Sequence, residues 1–241
     1  MIVLLTDFGR SEYVGVMKGV IYNISPDIKI VDLCHNISPQ NLIEASWILS
    51  NNYHYFPVGS VFCCVVDPGV GTVRKAIAVK TEKYYFVGPD NGLFWETLKK
   101  QRIIEIRVLN IPENASQTFH GRDVFAIAAA NVELGRFETV GKQTEDIEKL
   151  ELYISKNEGI IVRIDTFGNI ITNIPNRHKQ KYAVEIGIEQ LEMNFYPNYI
   201  SSKDNELFII EGSNNTLEIS LKNAAANDKL HVKTGQRVII S

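Results

Sequence analysis

The chain has 241 residues, which suits one large domain or two small ones, and its 45% hydrophobic and 22% charged content is ordinary for a globular protein. Its formal net charge of −3 gives no basic footprint for nucleic acid. No apolar run approaches a membrane span, and the short apolar start before Thr6 lacks the length and the basic residues of a signal peptide. We therefore expect a cytoplasmic protein without a membrane or nucleic-acid partner.

The cysteines, Cys34, Cys63 and Cys64, do not indicate a disulfide framework, because their number is odd and two of them are adjacent. Neighbouring residues of a strand point to opposite faces, so Cys63 and Cys64 are predicted to be small core residues. This use of cysteine is consistent with the cytoplasmic prediction.

The first part of the chain alternates apolar strands with helices. Strands are predicted at residues 2–5, 28–33, 61–66, 76–79 and 84–87, and helices at residues 13–23, 93–98 and 123–134, with one more behind Ser38 and Pro39. Ser38 is predicted to cap that helix, with Pro39 at its first position, and Asp123 to cap the helix that follows it. Such alternation requires crossover connections, and therefore a largely parallel sheet with flanking helices.

Residues 141–158 are polar and charged, which predicts a linker. Beyond it, strands are predicted at residues 160–164, 170–174, 183–188, 207–210, 217–221 and 237–240, separated by short turns. This spacing is typical of a small antiparallel barrel or sandwich. The expected fold class is α/β, with an N-terminal domain of residues 1–150 and a smaller, barrel-like C-terminal β domain of residues 151–241.

The segment VFCCVVDPGVGTVR indicates a ligand site. Its apolar strand ends at Asp67, Pro68 and two glycines open a tight turn, and Arg74 follows seven residues after the aspartate. A carboxylate at the end of a buried strand, beside a glycine-rich loop, lies where open α/β sheets bind ligands. The alternative is an ordinary Asp-Pro-Gly turn.

Asp7 and His120 extend this pattern. Asp7 directly follows the first strand, where a carboxylate either accepts hydrogen bonds from a ribose diol or caps the next helix. No G-x-G-x-x-G motif follows that strand and no P-loop occurs in the chain, so the usual nucleotide-binding fingerprints are missing. His120, in TFHGRD before a helix, is either structural or a proton carrier. With Asp67 and Arg74 it would supply a base, an orienting partner and an anion stabiliser.

A metal site is the competing use of these side chains. Asp7, Asp67, Asp90 and His120 are all possible ligands, but the chain has no H-E-x-x-H motif and no Cys-His pair at zinc spacing. We therefore expect no metal and no cofactor.

Two polar turns mark the second domain. Phe167 and Asn169 interrupt the strand runs of IDTFGNIITNI, where a ring can stack on a flat base and an amide can pair with an adenine edge. A plain F-G-N hairpin turn is the alternative. Ser213 opens a second turn in EGSNNTLEIS, for which an ordinary Ser/Asn turn is the alternative.

Taken in order, five motifs resemble one family across nearly the whole chain. They are TDFG at residues 6–9, VVDPGVGTVR at 65–74, GPDNGLF at 88–94, TFHGRD at 118–123 and FGNIITNI at 167–174. The family is the S-adenosylmethionine hydroxide adenosyltransferases, or adenosine-forming S-adenosylmethionine hydrolases, to which fluorinases and chlorinases are related.

The resemblance implies hydrolysis of S-adenosylmethionine, a small-molecule substrate, to adenosine and methionine. It implies that Asp67, Arg74 and His120 activate water and that Asp7 holds the ribose diol. It also implies a homotrimer in which each site lies between the first domain of one subunit and the second domain of its neighbour.

For the second domain, the resemblance implies that Phe167 and Asn169 bind adenine and that Asp165 and Ser213 lie near the methionine part. Halogenase relatives often have Arg after the matching serine, whereas this chain has Asn214. The methionine carboxylate is therefore expected to be bound differently.

The same residues favour water over a halide as the nucleophile. A carboxylate about 4 Å from a halide repels it by roughly 4 kcal/mol at an effective dielectric near 20. Fluoride-binding relatives carry Tyr-Ser where this chain has His120-Gly121, and Tyr where it has Asp67, so the halide-holding hydroxyl is missing. A sensor that binds S-adenosylmethionine or adenosine without turnover is the other alternative.

Overall fold

Two sheets of seven strands each organise the computed structural model, which describes residues 1–152 and 155–241. They belong to separate units, Met1–Glu151 and Leu152–Ser241. The fold class expected from the sequence is confirmed. None of the helices in the described ranges has the length and apolar character that crossing a bilayer requires.

The sheet of the first unit has the strand order β2-β1-β3-β5-β4-β6-β7. Neighbours from β2 to β5 are parallel, and β4, β6 and β7 are joined by antiparallel pairing. In chain order the strands are β1 (Ile2–Thr6), β2 (Ile30–Cys34), β3 (Val61–Val65), β4 (Ala76–Thr81), β5 (Tyr85–Pro89), β6 (Ile103–Leu109) and β7 (Gly141–Thr144).

Helices cover both faces of this sheet, which explains why its central strands are apolar throughout. The helices are α1 (Tyr13–Ile24), α2 (Leu42–Asn52), α3 (Trp95–Leu98) and α4 (Ala126–Glu133). Ile2 and Leu4 pack into the core that contains α1 and α4, whereas Val3 and Leu5 pack into the core that contains α2 and α3. Cys63 and Cys64 are buried in these opposite cores, as predicted.

The predicted cap of α2 is wrong. Asn41 caps this helix, because its side-chain oxygen accepts a hydrogen bond from the Glu44 N–H at 3.1 Å. The Asn41 N–H in turn donates to the Ser38 carbonyl at 3.0 Å, and Gln40 has a φ of 62°. Pro39 and Gln40 therefore form the centre of a type II turn that precedes the helix.

The predicted cap at Asp123 is also wrong. A π-helical turn, Gly121–Phe125, precedes α4, and Asp123 lies inside it. Its carboxylate accepts a hydrogen bond from the Ser116 N–H at 2.8 Å and pairs with Arg122. The side chain thus tethers the preceding loop instead of a helix N–H group.

The segment expected to be a linker begins with a strand. Gly141–Thr144 forms β7 and pairs with β6. The sequence prediction omits β7. A short polar strand at a sheet edge is held by backbone hydrogen bonds and shows no apolar pattern. Residues 153 and 154 of the expected linker lie outside the described residues.

The second unit is an antiparallel, nearly closed sheet in the order β11-β10-β14-β8-β9-β13-β12. A bridge between Phe195, just after β11, and Ile209 brings the two ends together. The strands are β8 (Glu158–Ile164), β9 (Ile170–Pro175), β10 (Lys181–Ile186), β11 (Glu189–Asn194), β12 (Leu207–Glu211), β13 (Thr216–Leu221) and β14 (Arg237–Ile240). A short helix, α5 (Asn227–Leu230), precedes the last strand. The sequence prediction misses β11, because Met193 is its only buried residue.

Candidate active site

Asp7 and Asp67 follow neighbouring strand ends of the first unit. β1 and β3 are parallel, with Thr6 opposite Val65, so the residues that come next lie at the same edge of the sheet. Both carboxylates line a cavity of about 310 Å³, together with His120. The carboxyl ends of parallel strands are the ligand-binding edge of such sheets, as the sequence predicted.

Asp67, Arg74 and His120 are in direct contact, and we call them the reactive cluster. Arg74 Nε donates to Asp67 Oδ1 at 2.8 Å, and Arg74 Nη2 donates to Asp67 Oδ2. The same Nη2 lies 2.9 Å from His120 Nδ1. The guanidinium also lies over the ring of Phe125, 5.3 Å from its centroid. The Asp67 and Arg74 side chains are only 6% and 10% exposed, so solvent screens this pair weakly.

This geometry assigns the histidine tautomer. A guanidinium can only donate, so Nδ1 of His120 accepts, and the neutral ring carries its proton on Nε2. Burial, and then the charge of Arg74, lower the pKa of His120, which keeps the ring neutral near pH 7. Each Asp67 oxygen retains acceptor capacity beyond its bond to Arg74. Asp67 is therefore the acceptor that can orient a water, with His120 as a donor beside it.

Glycine makes the loop of the reactive cluster possible. Gly71 has a φ of +74°, and a Cβ there would lie 2.3 Å from the Gln117 carbonyl oxygen. The loop between Asp67 and Arg74 is thereby seated on the segment that leads to His120. Thr72 closes the turn, since its backbone N–H and its hydroxyl both donate to the Gly69 carbonyl.

Asp7 is held by the turn that precedes α2. Its Oδ2 accepts a hydrogen bond from the Gln40 N–H at 2.8 Å. Burial raises the pKa of Asp7 and outweighs that hydrogen bond. Three aromatic rings beside it, which the sequence analysis does not single out, meet edge to face with centroids 4.9–6.0 Å apart, namely Phe8, Tyr13 and Phe119. Phe8 belongs to TDFG and Phe119 to TFHGRD, so these two motifs could have indicated the aromatic rings.

The structure separates Asp90 from the other proposed metal ligands. Its carboxylate is buried, accepts a hydrogen bond from the Glu148 N–H at 2.8 Å and does not line the cavity. Burial raises its pKa. Within residues 1–152 and 155–241, no group of three or more His, Cys, Asp or Glu side chains is arranged to hold a metal ion.

The second unit has its own cavity, of about 650 Å³, at the turn between β8 and β9. Asp165 Oδ1 accepts hydrogen bonds from the Phe167 and Asn169 N–H groups, and its Oδ2 accepts one from the Asn169 amide, all at 2.9 Å. Asn169 is buried, whereas the Phe167 ring is 77% exposed. The predicted F-G-N turn is present, and it presents an aromatic face beside a fixed amide.

The structure does not bring Ser213 into this cavity. Ser213 lies in the turn between β12 and β13, whereas the cavity is lined by Leu221, at the far end of β13. Other lining residues that the sequence analysis missed are Tyr199, Ile200 and residues 222–225. No motif singled out those positions.

Comparison with known proteins identifies the class. The model for the N-terminal domain of SAM hydroxide adenosyltransferases matches residues 2–141, and that for the C-terminal domain matches residues 159–239. The chain therefore belongs to the SAM hydroxide adenosyltransferase family.

Its relatives include the (R)-S-adenosyl-L-methionine hydrolases of Methanocaldococcus jannaschii and Thermus thermophilus. The first is 38% identical, covering 91% of this chain and 88% of that protein, and the second is 34% identical, covering 97% and 96%. The fluorinase of Nocardia brasiliensis is 26% identical, covering 78% and 75%. A solved structure of an uncharacterized conserved protein from Thermotoga maritima superposes with a TM-score of 0.91 at 36% identity, covering both chains fully.

Proposed function

We propose that this protein hydrolyses S-adenosyl-L-methionine to adenosine and L-methionine. The observation that carries the proposal is the reactive cluster, Asp67 with Arg74 and His120, at the ligand-binding edge of the sheet. Membership of the family and the hydrolase names of its relatives support it.

The chemistry requires an activated water and little else. Water oxygen forms a bond to ribose C5′ while the C5′–S bond breaks, and its electron pair goes to sulfur, which leaves as a neutral thioether. No acid is needed for that leaving group. The water loses one proton, which Asp67 is placed to accept, while His120 orients the water and Arg74 holds both side chains. Proton transfer of this kind contributes about 10²–10⁴-fold, and in-line positioning supplies much of the rest.

The binding roles follow the family resemblance. Asp7 holds the ribose diol, Phe167 stacks on adenine and Asn169 pairs with its edge. Asp165 and Ser213 lie near the methionine part. The exposed ring of Phe167 and the fixed amide of Asn169 support these assignments.

The direct test is incubation of the purified protein with S-adenosylmethionine, followed by identification of the products. We expect equimolar adenosine and methionine, with ¹⁸O from labelled water in the adenosine 5′-hydroxyl. Tight binding without products would instead indicate a sensor. With added chloride we expect no chloroadenosine, and a clear halide product would indicate an adenosyl transferase. Because Arg74 partly offsets the charge of Asp67, this expectation rests mainly on the absent halide-holding hydroxyl.

The mechanism proposed here uses no metal or other cofactor. Turnover should therefore persist after exhaustive treatment with a chelator. Activity that is lost on chelation and restored by one divalent cation would contradict this mechanism while leaving the substrate unchanged.

We also infer a homotrimer with shared sites, in the cytoplasm. A cyclic head-to-tail arrangement would create three equivalent sites, each completed by the second unit of a neighbouring subunit. Mixing Asp67→Asn subunits with Asn169→Ala subunits, under conditions of proven exchange, should restore part of the activity. No recovery, or a fully active monomer by light scattering, would contradict shared sites.

A further inference from the structure

A chain of four polar side chains runs through the first unit beside the loop that carries Asp7. Lys18 Nζ donates to Asp32 Oδ2 at 2.6 Å, and Asp32 Oδ1 lies 3.1 Å from Nε2 of His35. Nδ1 of His35 lies 2.8 Å from the hydroxyl oxygen of Thr6. Thr6 is fully buried, and the His35 side chain is only 15% exposed. The mechanism proposed above uses none of these four residues.

A bulge in β2 accounts for the contact between Asp32 and His35. In a regular strand, residues three positions apart point to opposite faces of the sheet. The parallel pairing places consecutive residues of β1 opposite Asp32 and Cys34, so β2 contains one extra residue. The extra residue brings His35, directly after the strand, back to the side of Asp32. Bulges are rare in parallel pairs, and next to active sites they redirect a side chain.

Thr6 connects this chain of side chains to the Asp7 loop. Its hydroxyl oxygen accepts a hydrogen bond from the Phe8 N–H at 3.2 Å, which closes a turn with Asp7 at its centre. The Gly9 N–H donates to the His35 carbonyl at 2.7 Å. The backbone on both sides of Asp7 is therefore held by contacts with Thr6 and His35.

The carboxylate of Asp32 sets the direction of the hydrogen bonds. Burial raises its pKa, but the hydrogen bonds from Lys18 and His35 outweigh burial and lower the pKa overall. An ionised carboxylate can only accept, so Nε2 of His35 carries a proton. In the neutral ring, Nδ1 then accepts from the Thr6 hydroxyl, whose oxygen still accepts from Phe8.

The order Thr-His-Asp resembles that of a nucleophilic triad, but Thr6 is not placed to attack a substrate. It has no exposed surface, and the residues that line the cavity of the first unit do not include it. Both hydrogen-bonding functions of its hydroxyl are used inside the protein. The geometry therefore suits a role in positioning.

We propose that His35, acting through Thr6, positions the Asp7 carboxylate and thereby sets the preference of this site for a ribose over a deoxyribose. The inference rests on the proposed function, in which Asp7 holds the ribose diol. A carboxylate that accepts from two neighbouring hydroxyls must keep one orientation, because both bonds depend on distance and angle. The Gln40 N–H fixes one carboxylate oxygen at 2.8 Å, and the Thr6 turn fixes the backbone from which the side chain projects.

The first test compares the binding of adenosine with that of 2′,3′-dideoxyadenosine, which lacks both hydroxyls, by calorimetry. Thr6→Val keeps the shape of the side chain and removes its hydroxyl, and His35→Leu removes both ring nitrogens. Each should weaken adenosine binding about tenfold, the size of one hydrogen bond to a charged group, and leave binding of the dideoxy compound unchanged. Thr81→Val is the matched control and should change neither, because Thr81 is also buried at a strand end and its hydroxyl accepts from the Tyr84 N–H at 3.0 Å.

The selectivity of the loss distinguishes positioning from general support of the fold. A site that is merely loosened would lose affinity for both nucleosides, because the base and the 5′-hydroxyl are common to them. Equal losses for the two nucleosides in Thr6→Val and His35→Leu, or no loss for either, would overturn the inference.

A second pair of variants separates the two contacts of the His35 ring. His35→Asn places an amide near the position of Nδ1, which contacts Thr6, whereas His35→Gln places one near Nε2, which contacts Asp32. His35→Asn should therefore retain most of the adenosine affinity, and His35→Gln should lose about as much as His35→Leu. A loss in His35→Asn as large as that in His35→Leu would contradict action through Thr6.

A double-mutant cycle tests whether His35 acts through Asp7. In an Asp7→Asn background, His35→Leu should weaken adenosine binding by less than about twofold further, because coupled residues are not additive. Additive losses would overturn the inference. Hydrolysis of S-adenosylmethionine, measured in parallel, keeps the proposed function separate. A wild type that prefers adenosine to the dideoxy compound but forms no products would contradict the proposed reaction alone, whereas a wild type without that preference would overturn this inference whatever its activity.

Discussion

The two cavities of this chain present different kinds of side chain. In the first unit, Asp67 is already paired with Arg74, which also contacts His120. In the second unit, the exposed ring of Phe167 and the Asn169 amide, which donates to Asp165, line the cavity. The paired cluster is preorganised before a ligand binds, which suits a role in the transition state. An exposed aromatic ring beside a fixed amide suits recognition of a flat base.

The comparison predicts that substitutions in the reactive cluster lower kcat, whereas substitutions in the second cavity raise KM. The largest effect is expected for Asp67→Asn, which keeps the size of the side chain but removes the acceptor for the water proton. We expect kcat to fall by about 10²–10⁴-fold, with KM changed less than threefold or so. His120→Ala should lower kcat by about 10²-fold or more, and the double variant should be little worse, because these residues act as a unit.

Steady-state kinetics on variants with unchanged circular dichroism and melting temperature would check this prediction. A folded Asp67→Asn protein with wild-type kcat would remove Asp67 from the mechanism. A large rise in KM at constant kcat would break the comparison, because it would make the reactive cluster a binding site.

Phe167→Ala is expected to have the next largest effect, and on KM. The ring is 77% exposed, so its removal should cost little stability. Stacking of a base on an aromatic ring contributes roughly 1–3 kcal/mol, which corresponds to an increase in KM of about 5- to 150-fold. Ile188→Ala, at an apolar position that is 96% exposed in another turn of the same unit, is the control.

Binding of adenosine, measured by calorimetry, gives the independent check on Phe167. Its affinity should fall in parallel with the rise in KM for S-adenosylmethionine. Unchanged adenosine affinity in Phe167→Ala would show that this cavity does not hold the base.

The order of strands and helices in the first unit was predictable because most of its elements have their own local pattern of apolar residues. The apolar run ending at Asp67 and the helix pattern from Tyr13 each follow from burial on a covered sheet, and parallel strands bring their carboxyl ends together. The caps at Ser38 and Asp123 were not predictable from residue type. Their oxygen and nitrogen atoms compete for several nearby partners, and the fold selects loop contacts over helix N–H groups.

The site was only partly predictable for a related reason. Asp67, Arg74 and His120 lie in motifs, but the bond from Arg74 to His120 Nδ1, which sets the tautomer, joins residues 46 positions apart. Tyr199, Ile200 and residues 222–225 line the second cavity from segments that no motif marks. Their place in that cavity depends on packing that the sequence pattern does not contain.

The smallest effect is expected for a substitution that shifts the loop of the reactive cluster but changes none of its three side chains. Gly71 and Gly59 flank β3 and both have positive φ, +74° and +87°. An alanine at either position costs about 1–3 kcal/mol of backbone strain, but only Gly71 has a backbone oxygen, of Gln117, where the new Cβ would lie. Gly59→Ala should therefore lower the free energy of unfolding without changing kcat. Gly71→Ala should also shift the loop that carries Asp67 and Arg74, and lower kcat by about tenfold, because small misplacements of reacting groups are costly. Denaturant unfolding and kcat measured on both variants would decide the matter. If both destabilise the protein equally and neither lowers kcat, the reactive cluster does not depend on the seating of its loop.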